Sequence, residues 1–267
     1  MWRAHVITLF PDLFPGPLDA SVLGRARAEN RWSLETTDVR AFSDNAYGAV
    51  DAPPFGGGAG LVMRADILAA AIDAAREEAP REATSEAPSE TPSEAADRRP
   101  TILLTPRGRP LTQARVRALA AGPGALCVCG RFEGVDQRVI EARNIEEISI
   151  GDFVLAGGEI AAMALIEACV RLLPGVLGSA HSLSEESFSF GAQPRGPGLL
   201  EYPQYAKPRD FEGRAVPPVL LSGDHRAIAD WRRDRAEEIT RARRPDLWAA
   251  YGGDAGGPIR RDDKNED

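Results

Sequence analysis

Apolar residues along this chain follow two rhythms, short uninterrupted runs and longer stretches with helical spacing. The run in Arg3 to Phe10 predicts a buried strand, Leu18 to Glu29 a helix, and Ser33 to Val39 a second strand. A Gly-rich stretch, Pro53-Pro54-Phe55-Gly56-Gly57-Gly58-Ala59-Gly60, leads into a helix over Arg64 to Glu78. The alternation resumes with a strand at Thr101 to Leu104, a helix at Thr112 to Ala120, a strand at Ala125 to Cys129, a helix at Val135 to Arg143 and a strand at Ile145 to Ile150. A long apolar helix, Gly158 to Leu173, is stopped by Pro174-Gly175. Strands alternating with helices predict an α/β domain over residues 1–176.

Two segments break this pattern. Ala79 to Pro100 repeats Ser, Glu, Ala, Thr and Pro without a large apolar residue. It cannot bury enough surface to offset its ordering entropy, and reads as a disordered insertion at the surface. Leu177 to Pro203 is rich in Ser, Gly and Pro and lacks periodicity, as an interdomain linker or lid would. Beyond it, Asp224 to Ala242 and Pro245 to Tyr251 predict the helices of a small C-terminal domain over 204–251, and 252–267 reads as a polar tail.

Composition narrows the class. Apolar residues make up 43% of the 267, enough for a packed core, and no stretch approaches the ~18 to 20 apolar residues of a membrane span. The start has no basic leader, which predicts a soluble, cytoplasmic protein. Cys127, Cys129 and Cys169 lack the paired spacing of a zinc site or redox dithiol and read as buried thiols. The net charge of −8 argues against a protein that coats nucleic acid indiscriminately. Half of that charge comes from Glu77 to Arg99, where seven acidic residues face three basic ones, so basic patches elsewhere remain compatible with it.

No strand is followed by Gly-x-Gly-x-x-Gly, and no Walker-type phosphate loop is present. Three glycine-bearing loops follow successive strands instead: Leu104-Thr105-Pro106-Arg107-Gly108, then Cys129-Gly130-Arg131-Phe132-Glu133-Gly134-Val135-Asp136, then Ile150-Gly151-Asp152-Phe153-Val154-Leu155-Ala156-Gly157-Gly158-Glu159. Ligands of open α/β sheets bind at the carboxyl ends of strands, and glycine lets backbone approach a ligand closely. Each loop alone is compatible with an ordinary tight turn. The set predicts one pocket.

The second and third of these loops, together with Arg171-Leu172-Leu173-Pro174-Gly175-Val176-Leu177-Gly178, Val216-Pro217-Pro218-Val219-Leu220-Leu221-Ser222-Gly223-Asp224-His225 and Phe55-Gly56-Gly57-Gly58-Ala59-Gly60-Leu61, closely resemble the signatures of the bacterial tRNA (guanine-N1-)-methyltransferase family. The likeness runs from Met1 to about Trp248, interrupted by the acidic insertion. It implies a trefoil-knotted (SPOUT-like) α/β methyltransferase domain, a small helical tRNA-binding domain, and a homodimer with cofactor and base on opposite protomers. The implied reaction moves a methyl group from S-adenosylmethionine to N1 of guanosine 37, 3′ to the anticodon. Matching positions assign cofactor contacts to Leu103, Leu104, Thr105, Pro106, Gly130, Ile150, Gly151, Phe153, Leu155, Gly157 and Gly158. Family members often carry proline where this chain has Ala161.

The chemistry needs an in-line methyl, removal of the N1 proton and stabilisation of charge on O6. Arg171 matches the arginine of the O6 role, while its position also suits a cap on the preceding helix. Glu186 stands where the family has an aspartate, in Ser184-Glu185-Glu186-Ser187; a solvated loop is the bland alternative. Glu133 can orient donors, bind Mg2+, which family members are reported to use, or pair with Arg131. Arg226, Arg232, Arg233 and Arg235 offer phosphate contacts, although interleaved acids also fit a solvated, internally paired helix face. Phe188 and Tyr202 are the aromatic candidates for stacking on a splayed-out base. A rival from the binding class is a catalytically idle tRNA-binding homologue.

Overall fold

The computed structural model describes residues 1–77, 97–178, 182–191 and 198–252. The chain divides into two compact units, Met1–Gly178 and Ser179–Asp267. The first is built on five parallel strands, β1 (Trp2–Thr8), β2 (Trp32–Asp38), β5 (Thr101–Pro110), β6 (Gly124–Cys129) and β7 (Glu146–Ser149), in the order β2-β1-β6-β5-β7. The helices are α1 (Ser21–Ala28), α2 (Ala65–Glu77), α3 (Gln113–Ala120), α4 (Gln137–Ala142) and α5 (Glu159–Val170). Two-residue strands β3 (Asp51–Ala52) and β4 (Val62–Met63) pair antiparallel around the Gly-rich stretch.

Alternate side chains of a strand point to opposite faces, and both faces of this sheet are covered. Trp2, Ala4 and Val6 of β1, with Ile102, Leu104, Ala125, Cys127 and Cys129, pack under α1, α3 and α5. Ile7, Leu103, Leu126 and Val128 pack on the other face under α2 and α4. Trp2 and Trp32 satisfy their indole N–H groups on the carbonyls of Leu119 and Leu23, both at 3.0 Å. Truncating a fully buried residue such as Leu165 or Ile166 to alanine removes about 2–5 kcal/mol.

The topology matters for the site. β6 inserts between β1 and β5, so the carboxyl ends of β6, β5 and β7 lie side by side and bring their loops together. β5 runs on to Pro110, beyond the expected end at Leu104. Its ladder with β7 breaks after Leu104, paired with Ile148, and resumes with Arg109 on the same residue. Residues 105–108 therefore leave the ladder as an excursion, which is why they read as a turn in sequence.

Most of the expected insertion, residues 79–96, lies outside the described residues, as does residue 78 at the expected end of the preceding helix. Arg98 is exposed as expected of a surface loop, but Asp97 and Arg99 are not. The Arg99 and Asp97 side chains are each 1% exposed and paired at 2.9 Å, and Arg99 also donates to the Ala75 carbonyl at 3.2 Å. Mutual neutralisation, with a hydrogen bond to the end of α2, offsets the cost of burying both charges.

The second unit contains α6 (Ser182–Glu185), the hairpin β8 (Asp210–Phe211) and β9 (Arg214–Ala215), α7 (His225–Arg243) and α8 (Pro245–Tyr251). Asp224 caps α7 by accepting from the N–H groups of Arg226 and Ala227. Leu199 and Tyr202, from the end of the Pro- and Gly-rich stretch, are core residues here, packed with Ala236 and Trp248. Leu200 N–H donates to Thr240 Oγ1 at 2.9 Å, which ties that stretch to α7. The expected polar tail lies outside the described residues beyond Gly252. Among the described residues no helix is long and apolar enough to cross a membrane.

Candidate active site

A cavity of about 320 Å³ opens where the three loops meet. The first loop lines it with Leu103, Leu104, Thr105 and Pro106, the second with Gly130, and the third with Ile150, Gly151, Phe153, Leu155, Gly157 and Gly158. Every residue expected to touch a cofactor thus lines one cleft. Ala161, from the first turn of α5, closes part of its wall. The volume lies near the lower end of the roughly 300–1,000 Å³ range of small-molecule sites.

Glycine is required by backbone packing at Gly158, and small size matters at Gly151 and Gly130. A Cβ on Gly158 would sit 2.8 Å from Cys129 Cα, and its N–H donates to the Gly130 carbonyl at 3.0 Å, so the start of α5 lies directly on the end of β6. A Cβ on Gly151 would meet the Phe153 ring at 2.5 Å, because that ring folds back over the glycine. A Cβ on Gly130 would touch Leu103 and Val135, both cavity residues, at 3.5 and 3.6 Å. A larger side chain there would occupy the cleft. The apolar floor and bare backbone walls fit a nucleoside-bearing ligand.

The Gly-rich stretch belongs to the same assembly. Glu133 N–H donates to the Leu61 carbonyl, Met63 N–H to Gly134, and Asp136 N–H to Met63, so the second loop is stitched along β4. Asp136 then caps α4 by accepting from Arg138 N–H, and hydrogen bonding to Arg138 holds its carboxyl below the usual range. An acid directly before a helical run is a capping signal readable in sequence.

Arg131 does not pair with Glu133, one of the alternatives expected. Its guanidinium reaches Glu159 at 2.8 Å and the Ala156 carbonyl at 3.3 Å. Glu133 instead lies against Gly60, where an added Cβ would meet its side chain at 2.4 Å. Glu159 is 1% exposed and accepts from Thr8 Oγ1 at 2.7 Å. Thr8, Phe10 and Glu159 are site neighbours that sequence reasoning missed, since nothing local marks contacts 28 residues apart, as between Arg131 and Glu159, or 151 apart, as between Thr8 and Glu159.

Arg171 is the C-cap of α5, partly buried, and its N–H donates to Glu167. Glu186 follows α6 in the second unit, where its carbonyl accepts from Ser189 and Phe190 at 3.0 and 2.9 Å. Among the described residues no cluster of three or more His, Cys, Asp or Glu could hold a metal, and Glu133 is the single carboxylate lining the cleft. The three cysteines are buried; burial pushes Cys127 and Cys169 up to about 12 and Cys129 well above the thiol range.

The arginines of α7 divide. Arg226 and Arg233 are exposed. Arg232 lies 4.8 Å from the Tyr202 ring and 3.9 Å from Glu185, and Arg235 pairs with Glu238 at 2.7 Å. Tyr202 is buried at 4% exposure and donates to Glu185 at 3.1 Å, which removes it as a stacking platform.

Comparison with known proteins agrees with this arrangement. The model of a family described as tRNA (Guanine-1)-methyltransferase TrmD matches residues 2–250. A tRNA (guanine-N(1)-)-methyltransferase of Rhodopseudomonas palustris (strain TIE-1) is 59% identical over 249 residues, covering 93% of this chain and 90% of the relative. The protein of the same name from Nitrobacter winogradskyi is 58% identical over 249 residues, with 93% and 94% covered. That of Chelativorans sp. (strain BNC1) is 55% identical over 250 residues, with 94% and 96% covered. The matched range takes in the strands, the three loops and the C-terminal helices, and the chain belongs to the tRNA (guanine-1)-methyltransferase TrmD family.

Proposed function

We propose that this protein transfers a methyl group from S-adenosylmethionine to N1 of the guanosine at tRNA position 37, 3′ to the anticodon. The observation that carries the reading is the single cleft of about 320 Å³ into which all three glycine-bearing loops open, in a chain of this family. S-adenosylmethionine supplies an electrophilic methyl group on a sulfonium. The chain's own residues do the rest. Leu103, Ile150 and Leu155 offer apolar contact to an adenine, and backbone groups at Thr105, Gly130 and Gly157 can read its edge.

Arg171 donates to guanine O6 as negative charge builds there, a role suited to a group that stays charged and presents fixed donors. Glu186 accepts the N1 proton, which would leave N1 with a free lone pair to receive the methyl group when the donor is bound. Arg226 and Arg233, free of the contacts that hold Arg232 and Arg235, meet phosphates of the anticodon stem-loop. Glu133 is the carboxylate beside the cleft that could take part in holding Mg2+, and no step is assigned to the ion.

The catalytic domain is read as trefoil-knotted and the active species as a homodimer in which one protomer's cleft faces its partner's Glu186. Val154 at 83% and Ile160 at 60% exposure leave apolar surface beside the cleft, which supports pairing. Mixing Arg171→Ala and Glu186→Ala subunits tests this: well-formed heterodimers with one restored site recover activity if the two residues act across the boundary, and stay inactive if they do not.

The deciding assay incubates the protein with labelled S-adenosylmethionine and tRNA, digests the product and separates nucleosides. 1-Methylguanosine is expected. Donor uptake measured by calorimetry with no product at any pH would overturn the reading in favour of an idle tRNA binder.

A further inference from the structure

At the wall of the cleft, three polar side chains, the lining residue Arg131 with the buried Thr8 and Glu159, meet in a set of contacts that the transfer chemistry does not use. Glu159 stands in the first turn of α5, where the helix dipole favours an anion, yet at 1% exposure it needs partners to remain charged. Thr8, at the end of β1 and fully buried, donates to Oε1 at 2.7 Å. Arg131, from the loop after β6, reaches Oε1 with Nε at 3.2 Å and Oε2 at 2.8 Å. The same guanidinium donates to the Ala156 carbonyl at 3.3 Å and lies 4.3 Å from the Phe10 ring centre.

The route of the Arg131 side chain is informative. It passes over Gly157 so closely that a Cβ there would stand 2.1 Å from Nε. Arg131 therefore clasps the loop before α5 onto the loop after β6, and both loops line the cleft through Gly130, Gly157 and Gly158. An ion pair serving stability alone has no need to join these two loops. Buried carboxylates cost free energy unless donors face them, and here the donors arrive from two separate elements, the end of β1 and the loop after β6, onto a carboxylate carried by a third, α5.

We propose that Arg131, Glu159 and Thr8 form a positioning triad that fixes the spacing of the two loops gripping the methyl donor, so that donor affinity depends on them while turnover does not. This rests on the reading of the cleft as the S-adenosylmethionine site. Arg131→Lys keeps the charge but cannot span Glu159 and Ala156 together. Glu159→Gln keeps the shape and removes the charge. Thr8→Val removes one donor at nearly constant volume, and Thr8→Ser restores it.

S-adenosylmethionine binding by calorimetry is the primary readout, with amide hydrogen exchange of the ligand-free protein as the second. Arg131→Lys and Glu159→Gln are expected to weaken donor binding by ~10-fold, the scale of one charge-assisted hydrogen bond. Thr8→Val should lose less, and Thr8→Ser should return to within about twofold of the wild type. The amides of 130–134 and 156–158 should exchange faster in the weakened variants, while the KM for tRNA and kcat at saturating donor hold steady. Folded variants that bind donor like the wild type, or whose loss appears in tRNA KM alone, overturn the triad. Wild-type protein that takes up no donor overturns the cleft reading first, and the triad with it.

Discussion

Glu186 carries the heaviest chemical assignment on a single side chain. Glutamate and aspartate have similar solution pKa values, but the extra methylene moves the carboxylate by about 1 Å or more, a distance that alters a near-attack geometry. Glu186→Gln keeps the length and cannot take the proton, so single-turnover transfer should fall roughly 100-fold or more with tRNA affinity unchanged. Glu186→Asp should keep the product and change only the rate. An unaltered single-turnover rate in Glu186→Gln would remove the residue from the mechanism. Gly130 makes a second residue-level case. Alanine there meets Leu103 and Val135 at ordinary contact distances, but valine projects further into the cleft. Calorimetry should show Gly130→Ala binding donor and Gly130→Val failing to, with the fold retained because this glycine has no positive φ.

Elements explain why the loops hold their shape. The second loop ends in the cap that Asp136 places on α4, and its side-chain contacts with Arg138 favour the ionised carboxyl. Asp136→Ala should cost about 1 kcal/mol, read as a lower urea midpoint at neutral pH. Because the folded carboxyl titrates below its ordinary value, that contribution is present above about pH 4 and is lost as pH falls further. The difference between the variant and the wild type should therefore narrow in acid, and a constant difference would mean the cap acts without its charge. The periodicity of Arg3 to Phe10, Ala125 to Cys129 and Gly158 to Leu173 made β1, β6 and α5 legible, because strands and helices buried in a covered sheet keep long apolar runs. The pairs β3–β4 and β8–β9 were not legible, since two residues contain no period. Tyr202 was misjudged for a different reason. Its burial depends on Ala236 and Trp248, residues far along the chain that local reading cannot place beside it.

At the scale of the molecule, the strand order brings β6, β5 and β7 together and makes one cleft out of three loops. Sequence spacing suggested convergence but could not supply that order, which needs β6 to enter between strands formed earlier in the chain. The buried thiols give a whole-molecule prediction. Folded Cys127 and Cys169 keep their protons up to about 12, whereas an unfolded thiol loses its proton near 8.5. The thiols' contribution to stability is therefore full below about pH 8 and is lost as pH rises toward 12. Guanidinium midpoints should drop between about pH 8 and 10, and less steeply in Cys127→Ala; equal slopes would exclude this thiol as a cause. The excursion of β5 at residues 105–108 has a further implication. A strand that stayed in register would spend its amides and carbonyls on its neighbour and leave none for a guest. On the proposed reading of the cleft, recognition draws on the pairing the sheet forgoes, and a deletion that straightened β5 is expected to yield a tidier sheet that takes up no donor.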